Sequence, residues 1–570
     1  MSTVLLVVGS AIAYLLAYRL YGRYLARRIF AIDPSAATPA ERLCDGTDYC
    51  PTRKEVLFGH HYTSIAGTGP IVGPAIGMIW GWVPALIWVL LGCIFMGAVH
   101  DFGAIVVSMR HEGKSIGDIA GSLLNRRVRI AFLLIIALLL MIVIAVFCTV
   151  IAGLFDLFPQ SVLSIWLEIP IAIWLGHMIY KRRKAPLRYS LIGLVLLYTA
   201  IYFGTLCPAR MPSIGPIEPT AIWTVILLIY AYVASTLPVT TLLQPRDYIN
   251  GHELFVAMGV LVLALIGSRP EIVAPAVNLH PVIAAESART MPIWPMLFIT
   301  IACGAISGFH SLVASGTTSK QIGREDNAIT IGYGAMLMEG MLAVLVIIAV
   351  AGGIAIAKDG SGHTDASIFT ARYVSYNSAS KYAVDTFVTG SANMLMSLGI
   401  PLTLGLAVMG VFVASFAGTT LDTATRLQRY VLGELGETLG IRPLANKHVA
   451  TSAAVLSAAA LALADGKGKG GMLLWPLFGT SNQLLAALAL LVITVYLVKA
   501  RKPIACTLIP FLFMTVMTGW AMVVQLGDYY ATGKVHLLVT ASVILVLEIW
   551  MIIEAAIILR KGTAAAEAIG

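Results

Sequence analysis

This chain predicts an all-α polytopic membrane protein of about fifteen transmembrane helices, and three observations point there. Hydrophobic residues make up 58% of it and charged residues only 12%, with a mean hydropathy of +0.87. Soluble domains carry roughly twice that share of charge. The apolar runs are long and continuous, unlike the short alternating segments of an outer-membrane barrel. Glycine, proline, threonine and histidine also break those runs. One break follows Phe58-Gly-His-His61 through Ile65-Ala-Gly-Thr-Gly-Pro70 to Gly73-Pro74, and another runs from Ser307-Gly-Phe-His-Ser311 to Gly316-Thr-Thr-Ser-Lys320. Lipid gives unpaired N–H and C=O groups nothing to bond, so irregular backbone at membrane depth packs in protein or lines a cavity. Secondary transporters hold substrate and coupling ion in this way.

Apolar segments long enough to span fall at 2–20, 60–80, 82–109, 129–155, 162–180, 187–206, 220–243, 254–269, 293–318, 329–357, 390–416, 448–464, 472–498, 506–526 and 536–559. The first, from Val4 to Tyr18, has its positive charges after it and no small-residue cleavage site, so it reads as a retained span. Basic residues then follow alternate spans: Arg19 to Arg28, Arg110 to Arg129, Lys181 to Lys184, Lys499 to Lys502, and Arg560 with Lys561. Under the positive-inside rule these loops are cytoplasmic, with the N-terminus outside and the C-terminus inside a plasma membrane. The net charge of +9 is accounted for by topology-determining residues facing anionic lipid, not by nucleic acid. No soluble module is present. The expected organisation is an N-terminal span and cytoplasmic loop over 1–56, a transport core over 57–416, and accessory helices over 417–570.

The strings Phe58-Gly-His-His61, Ala98-Val-His-Asp-Phe102, Leu243-Gln-Pro-Arg-Asp-Tyr248, Ser307-Gly-Phe-His-Ser311, Thr419-Thr-Leu-Asp-Thr-Ala-Thr-Arg426 and Trp475-Pro-Leu-Phe-Gly479 with Asn482-Gln-Leu484 resemble the carbon starvation protein A family. The likeness runs over nearly the whole chain. It departs at His100, where glutamine would be expected, and in a shorter C-terminal end. The resemblance implies a peptide or pyruvate carrier of the bacterial inner membrane and kinship with the amino acid–polyamine–organocation superfamily. The core implied is LeuT-type, made of two inverted five-helix repeats. The spans at 60–80 and 220–243 suit that register, the latter with its own break at Ala234-Ser-Thr-Leu-Pro-Val239. A seven-plus-seven register is also visible, because Gly59-His-His61 resembles Gly308-Phe-His310.

Substrate contact is expected at the breaks. Gly67, Thr68, Gly69, Pro70 and Gly73 would unwind the second span, free carbonyl oxygens and aim a half-helix N-terminus at an anionic group. Ser235, Thr236 and Ser311 add hydroxyls, and His60, His61 and His310 add groups that titrate near neutral pH. Asp101 is an intramembrane carboxylate, costly unless paired or titrating, and Glu339 is a second. Thr317, Thr318 and Ser319 offer hard oxygens to sodium, against back-bonding to their own helix, while Lys320 beside them would compete with a bound cation. Gln244, Arg246 and Asp247, and Asp422 with Arg426, read as charge clamps at helix ends. Asn482 and Gln483 read as interhelical hydrogen-bonders. Cys44, Asp48 and Cys50 share a polar loop, and with His60 they offer a weak metal pattern. The other five of the seven cysteines lie in or beside apolar segments.

No phosphate-binding loop, His-Glu-x-x-His or nucleophile elbow is present, so an ATP-driven pump and a membrane enzyme are both disfavoured. The expectation is a secondary active importer of small peptides or pyruvate. It needs no bound cofactor beyond a coupling cation, proton or sodium, with protons preferred. A channel is the remaining alternative.

Overall fold

Among the described residues the chain is helical, with only isolated bridges such as Thr52 to Ile322 outside the helices. The computed structural model describes residues 2–567 apart from 47, 124, 286–288 and 357–363, and not the side chains of 536, 555 and 558–567. The side chains of Arg560 and Lys561 therefore lie outside the described residues, as does the start of the outside loop, near 358–385, that the sequence predicts between the spans at 329–357 and 390–416. In chain order the longer helices are α1 (Thr3–Ile29), α2 (Lys54–Ile65), α3 (Gly69–Trp80), α4 (Trp82–Arg110), α5 (Arg126–Leu157) and α6 (Pro159–Lys181). There follow α7 (Pro186–Leu206), α8 (Pro219–Thr236), α9 (Leu243–Ser268), α10 (Ile293–Thr300), α11 (Gly308–Gly316) and α12 (Ile329–Ala355). The last six are α13 (Tyr376–Leu395), α14 (Leu402–Leu439), α15 (Lys447–Ala462), α16 (Trp475–Lys499), α17 (Ala505–Ala531) and α18 (Val535–Glu567). Among the described residues, twelve helices are long and apolar enough to cross a membrane, all except α2, α3, α10, α11, α13 and α15.

Burial sorts inner helices from lipid-facing ones. The most apolar windows of α12 and α16 are 89% buried, whereas that of α1 is 22% buried. On α17, Ile509, Leu512, Val516, Trp520 and Val523 stand exposed at helical spacing, an apolar stripe that suits acyl chains. Ends are set by local chemistry. Asn125 and Asn446 cap α5 and α15 by accepting from Val128 N and His448 N, and Gly440 ends α14 in the left-handed region.

The two interrupted helix pairs cross each other. The α2–α3 segment unwinds at 66–68, and the α10–α11 segment unwinds at 301–307. A Cβ on Gly69 would lie 2.3 Å from Cys303 Sγ, and one on Gly73 would lie 2.6 Å from the Thr300 carbonyl oxygen. Glycine is required at both positions because the facing chain occupies the space of a side chain.

Three boundaries differ from expectation. The break expected at 234–239 is the turn between two continuous helices: α8 stops at Thr236, just before Pro238, and α9 starts at Leu243 instead of 254. Pro245 falls in the first turn of α9, where its missing N–H is an orphan anyway. The span expected at 390–416 is two helices separated by Gly399, at φ +77°, and Pro401. Its second part, α14, continues to Leu439, so the domain boundary expected after 416 falls inside one helix. At the start of α9 and the end of α14, buried polar residues extend a helix into sequence that hydropathy assigns to a loop.

Hydrogen bonds sort the loops to two ends. At one end Arg110 reaches Glu325, Tyr496 and the Ala31 carbonyl. There too Lys499 reaches Leu123 O, Arg126 reaches Thr438 O, and Asn125 reaches Glu554. At the other end Thr3 meets Pro270 O, Trp80 meets Met291 O, Tyr373 meets Ala75 O, and Lys469 pairs with Glu218. The helix α13 begins beside Val282 and is followed by Ser397 against Ala264 O, so both its ends lie at this second end.

Gly69→Ala and Gly73→Ala should each lower the unfolding midpoint in detergent, at a cost of about 1–3 kcal/mol for overpacking. Gly153→Ala, where nothing lies within 4 Å of the added carbon, should leave it unchanged or slightly raised.

Candidate functional site

Four ionisable side chains form a continuous string in the interior. His100 Nδ1 lies 2.7 Å from Asp101 Oδ1, His310 Nδ1 lies 2.9 Å from Asp101 Oδ2, and His310 Nε2 lies 3.4 Å from Glu339 Oε2. All four are fully buried. Three elements bring them together: α4 carries His100 and Asp101, α11 carries His310 next to its unwound lead-in, and α12 carries Glu339. A π-helical turn precedes the site on two of these helices, at Cys93–Gly97 and at Ile329–Gly334. The extra residue in such a turn rotates everything that follows, and π-turns recur at functional sites for that reason. Among the described residues the string contains no lysine or arginine. Its charge is therefore set by protons alone, an expensive arrangement at membrane depth unless it is used.

The hydroxyl cluster lies beside the string but is already engaged. His61 Nδ1 is 2.8 Å from Thr318 Oγ1, and Ser108 donates to Ser319 at 2.9 Å. Thr317 and Ser319 also bond back to the carbonyls of Val313 and Ser315. Lys320 does not compete there, contrary to expectation. Its ammonium sits over the rings of Tyr49 and Tyr430, 5.4 and 5.1 Å from their centroids. The loop around Cys50 packs over this turn, with Cys50 N and Thr52 N donating to the carbonyls of Lys320 and Gln321.

That packing also removes the metal reading. Among the described residues no group of three His, Cys, Asp or Glu is placed to hold a metal ion. Cys44 is exposed, Asp48 accepts from Tyr430, and His60 points to Asp247 instead of the loop. Burial first, then Cys44 and the nearby aspartates, holds the Cys50 thiol above its ordinary value, which works against the thiolate a metal needs.

The expected helix-end clamps are re-partnered into a second buried cluster. Arg246 donates to Glu168 at 2.7 Å and to Asp422 at 2.8 Å, while Tyr230 bridges Arg246 and Asp422. Asp247 pairs with His60, not with Arg246. Arg426 turns from Asp422 to the carbonyls of Ala234 and Leu237, capping the end of α8. Gln244 bonds Gln321 and Tyr180. Glu253, also buried, has neither carboxyl oxygen hydrogen-bonded.

The remaining expected residues divide between the two breaks and elsewhere. A Cβ on Gly67 would lie 2.3 Å from Thr420 Oγ1, and the hydroxyl of Thr68 is buried without a partner. Pro70 lies against Gly304. Asn482 accepts from Phe309 N at 2.8 Å and exchanges bonds with Ser307, pinning the unwound lead-in of α11. Gln483 donates to Phe298 O, and Ser311 bonds back to Gly308 O. Ser235 and Thr236 bond back to the carbonyls of Tyr232 and Val233 at the end of α8, so they join neither break. Sequence reasoning missed Glu168, Tyr230, Glu253 and Thr420. Glu168 was findable, as a carboxylate in the middle of an apolar span.

A family model for "Carbon starvation protein CstA" matches residues 2–521. The chain belongs to that family. It is 33% identical to the peptide transporter CstA of Campylobacter jejuni, over 94% of this chain and 82% of that protein. It is 34% identical to the pyruvate/proton symporter BtsT of Escherichia coli, over 92% and 82% respectively. The Bacillus subtilis peptide transporter CstA is 30% identical and is covered over 97% of its length. Among solved structures, a manganese transporter of Eremococcus coleocola aligns with a TM-score of 0.46 at 13% identity, over 90% of this chain and 99% of that one. These family relatives are transporters rather than enzymes, and this chain is a multi-pass membrane protein of the same kind.

Arg246→Met would leave Glu168 and Asp422 facing each other without a cation, a loss of about 3–5 kcal/mol. The unfolding midpoint should fall accordingly. Double replacement of Arg246 and Asp422 by apolar residues should recover part of that loss.

Proposed function

We propose that this protein imports small carboxylate-bearing solutes, pyruvate or short peptides, across the bacterial inner membrane in symport with protons. The observation that carries this reading is the Glu339, His310, Asp101, His100 string, a proton-titrating chain without lysine or arginine beside two crossed, unwound helices. The start of α3 at Gly69 offers a helix N-terminus, with the buried and unpartnered hydroxyl of Thr68 beside it, suited to a substrate carboxylate. Protons are favoured over sodium because the hydroxyls of Thr317, Thr318 and Ser319 are already committed to protein partners. The names of the relatives from Campylobacter and Escherichia support peptides and pyruvate as the two substrate classes to test.

The topology that suits this function has about fifteen crossings. The two interrupted pairs each cross once, α15 crosses, and α13 lies at the outer end. The end holding Arg110, Arg126 and Lys499 faces the cytoplasm, which puts the N-terminus outside and the C-terminus inside.

Labelled pyruvate and di- or tripeptides should accumulate in proteoliposomes under an imposed proton gradient and not under a sodium gradient alone. Asp101→Asn should abolish that accumulation while substrate exchange, which needs no net proton movement, persists. Uptake that follows sodium and ignores protons would overturn the coupling assignment. Cysteine accessibility should place residues 181–186 in the cytoplasm and residues 364–375 outside.

A further inference from the structure

Asp101 and Glu339 belong to one string, yet their surroundings differ in a way that assigns them different roles. Asp101 is fully supplied: each of its oxygens faces a histidine Nδ1, at 2.7 and 2.9 Å. A carboxylate that accepts two such bonds is held as the anion. Glu339 is equally buried, and neither of its oxygens has a hydrogen-bond partner. The polar groups that approach it from neighbouring helices are all committed elsewhere. Tyr14 of α1 donates to Val89 O, Tyr62 of α2 to Met338 O, and Cys93 to Met336 O, while Cys303 faces Ser307. Among the described residues no lysine or arginine pairs with it, and its ion-pair partner is His310 Nε2, 3.4 Å away and itself without a hydrogen bond.

Proton positions follow from this geometry. If His310 donates from Nδ1 to Asp101, its Nε2 is a bare lone pair aimed at Glu339. Two ionised carboxyls on either side of a neutral imidazole would leave two uncompensated charges in a dry core, a far costlier state than one. We infer that the exchangeable proton of this string resides on Glu339 and is shared with His310 Nε2, while Asp101 is the permanent anion that orients His310. This assignment rests on the proton-coupled reading above and sharpens it. The step is a proton transfer with no other bond change: the Glu339 O–H breaks, His310 Nε2–H forms, and the product is an imidazolium between two carboxylates. That product has the same net charge as the starting state and gains an ion pair on each side, so the transfer needs no outside counter-ion. The π-turn at Ile329–Gly334 lies just ahead of Glu339 on α12, where a small change in winding would alter the 3.4 Å gap.

Infrared difference spectroscopy of the wild-type protein in lipid, together with proteoliposome flux, tests the assignment. A protonated-carboxyl C=O band that responds to pH should be present in the wild type, lost in Glu339→Gln and retained in Asp101→Asn. Glu339→Gln should also lose proton-driven accumulation while keeping substrate exchange, and Glu339→Asp should keep the band at a shifted frequency. A band that survives in Glu339→Gln and vanishes in Asp101→Asn overturns the inference and makes Asp101 the carrier. Normal proton-driven accumulation by Glu339→Gln overturns it as well. A wild type whose uptake ignores the proton gradient, yet which shows the Glu339-dependent band, retains this proton site and loses only the coupling reading. If Glu339→Gln does not fold, the band and flux of Glu339→Asp and of His310→Gln decide: unchanged frequency and unchanged accumulation in both would overturn the assignment.

Discussion

Gly69 and Gly73, on the first turns of α3, pass so close to Cys303, Ile301 and the Thr300 carbonyl that α3 covers the unwound stretch 301–307, and the rest of the interior is arranged around that contact. That stretch would not survive uncovered at membrane depth, because a non-helical segment exposes N–H and C=O groups that lipid does not satisfy. The same cover fixes where the chemistry sits. The lead-in at 301–307 ends in Ser307, which with Phe309 of the first turn of α11 is held by Asn482 of α16, and His310 follows at once. His310 is therefore positioned by a chain of backbone contacts that begins at the crossing, and it meets Asp101 and Glu339 from that position.

Two buried ionic clusters share this interior and obey opposite rules. The cluster around Arg246 contains a guanidinium that stays charged, so Glu168 and Asp422 are held by fixed pairing whose removal is costly. The string around His310 contains no such group, so its balance changes whenever a proton moves. The first arrangement is suited to holding helices α6, α9 and α14 together. The second is suited to sensing or carrying protons. Asp422 and Asp101 are both intramembrane aspartates, and only their partners separate a strut from a titrating site.

Membrane class, the broken second span and the burial of Asp101 inside an apolar helix were legible in the sequence because each rests on local chemistry, while the ninth span is broken at 301–307, ahead of the stretch from Ser307 to Lys320 where the break is expected. Glycine and proline clusters interrupt helices wherever they stand, and a carboxylate in an apolar span is conspicuous. What the sequence hid was pairing. Arg246 and Asp247, or Asp422 and Arg426, look like self-contained clamps on one helix, yet each finds its partner on another helix more than a hundred residues away or in a backbone carbonyl. The starts of α9 and the length of α14 were misread for a related reason. Hydropathy counts Gln244, Arg246, Asp247, Asp422 and Arg426 as loop residues, whereas burial against complementary groups lets them sit inside helices. The same blindness gave Lys320 to the hydroxyl cluster, when two aromatic rings distant in sequence claim its ammonium.

Helix α2 connects the two clusters. His60 and His61 are adjacent, and successive residues on a helix point about 100° apart, so one turn of one helix faces two neighbourhoods at once. His60 meets Asp247 at the N-terminal part of α9, next to Arg246. His61 meets Thr318, in the turn that follows α11 and its His310. A rigid shift of α2 therefore alters both contacts together, because a helix cannot move one of two neighbouring side chains without the other. The unwound residues 66–68 immediately after α2 are where such a shift would be absorbed, since helical hydrogen bonding does not bind α2 to α3 across them. Bistable elements of this kind let a local proton or ligand bias a whole helix, provided the two states differ in the contacts made. Here those contacts are a histidine paired with Asp247, next in sequence to the Arg246 strut, and a histidine bonded to the turn that follows α11, so a displacement of α2 is felt at both places.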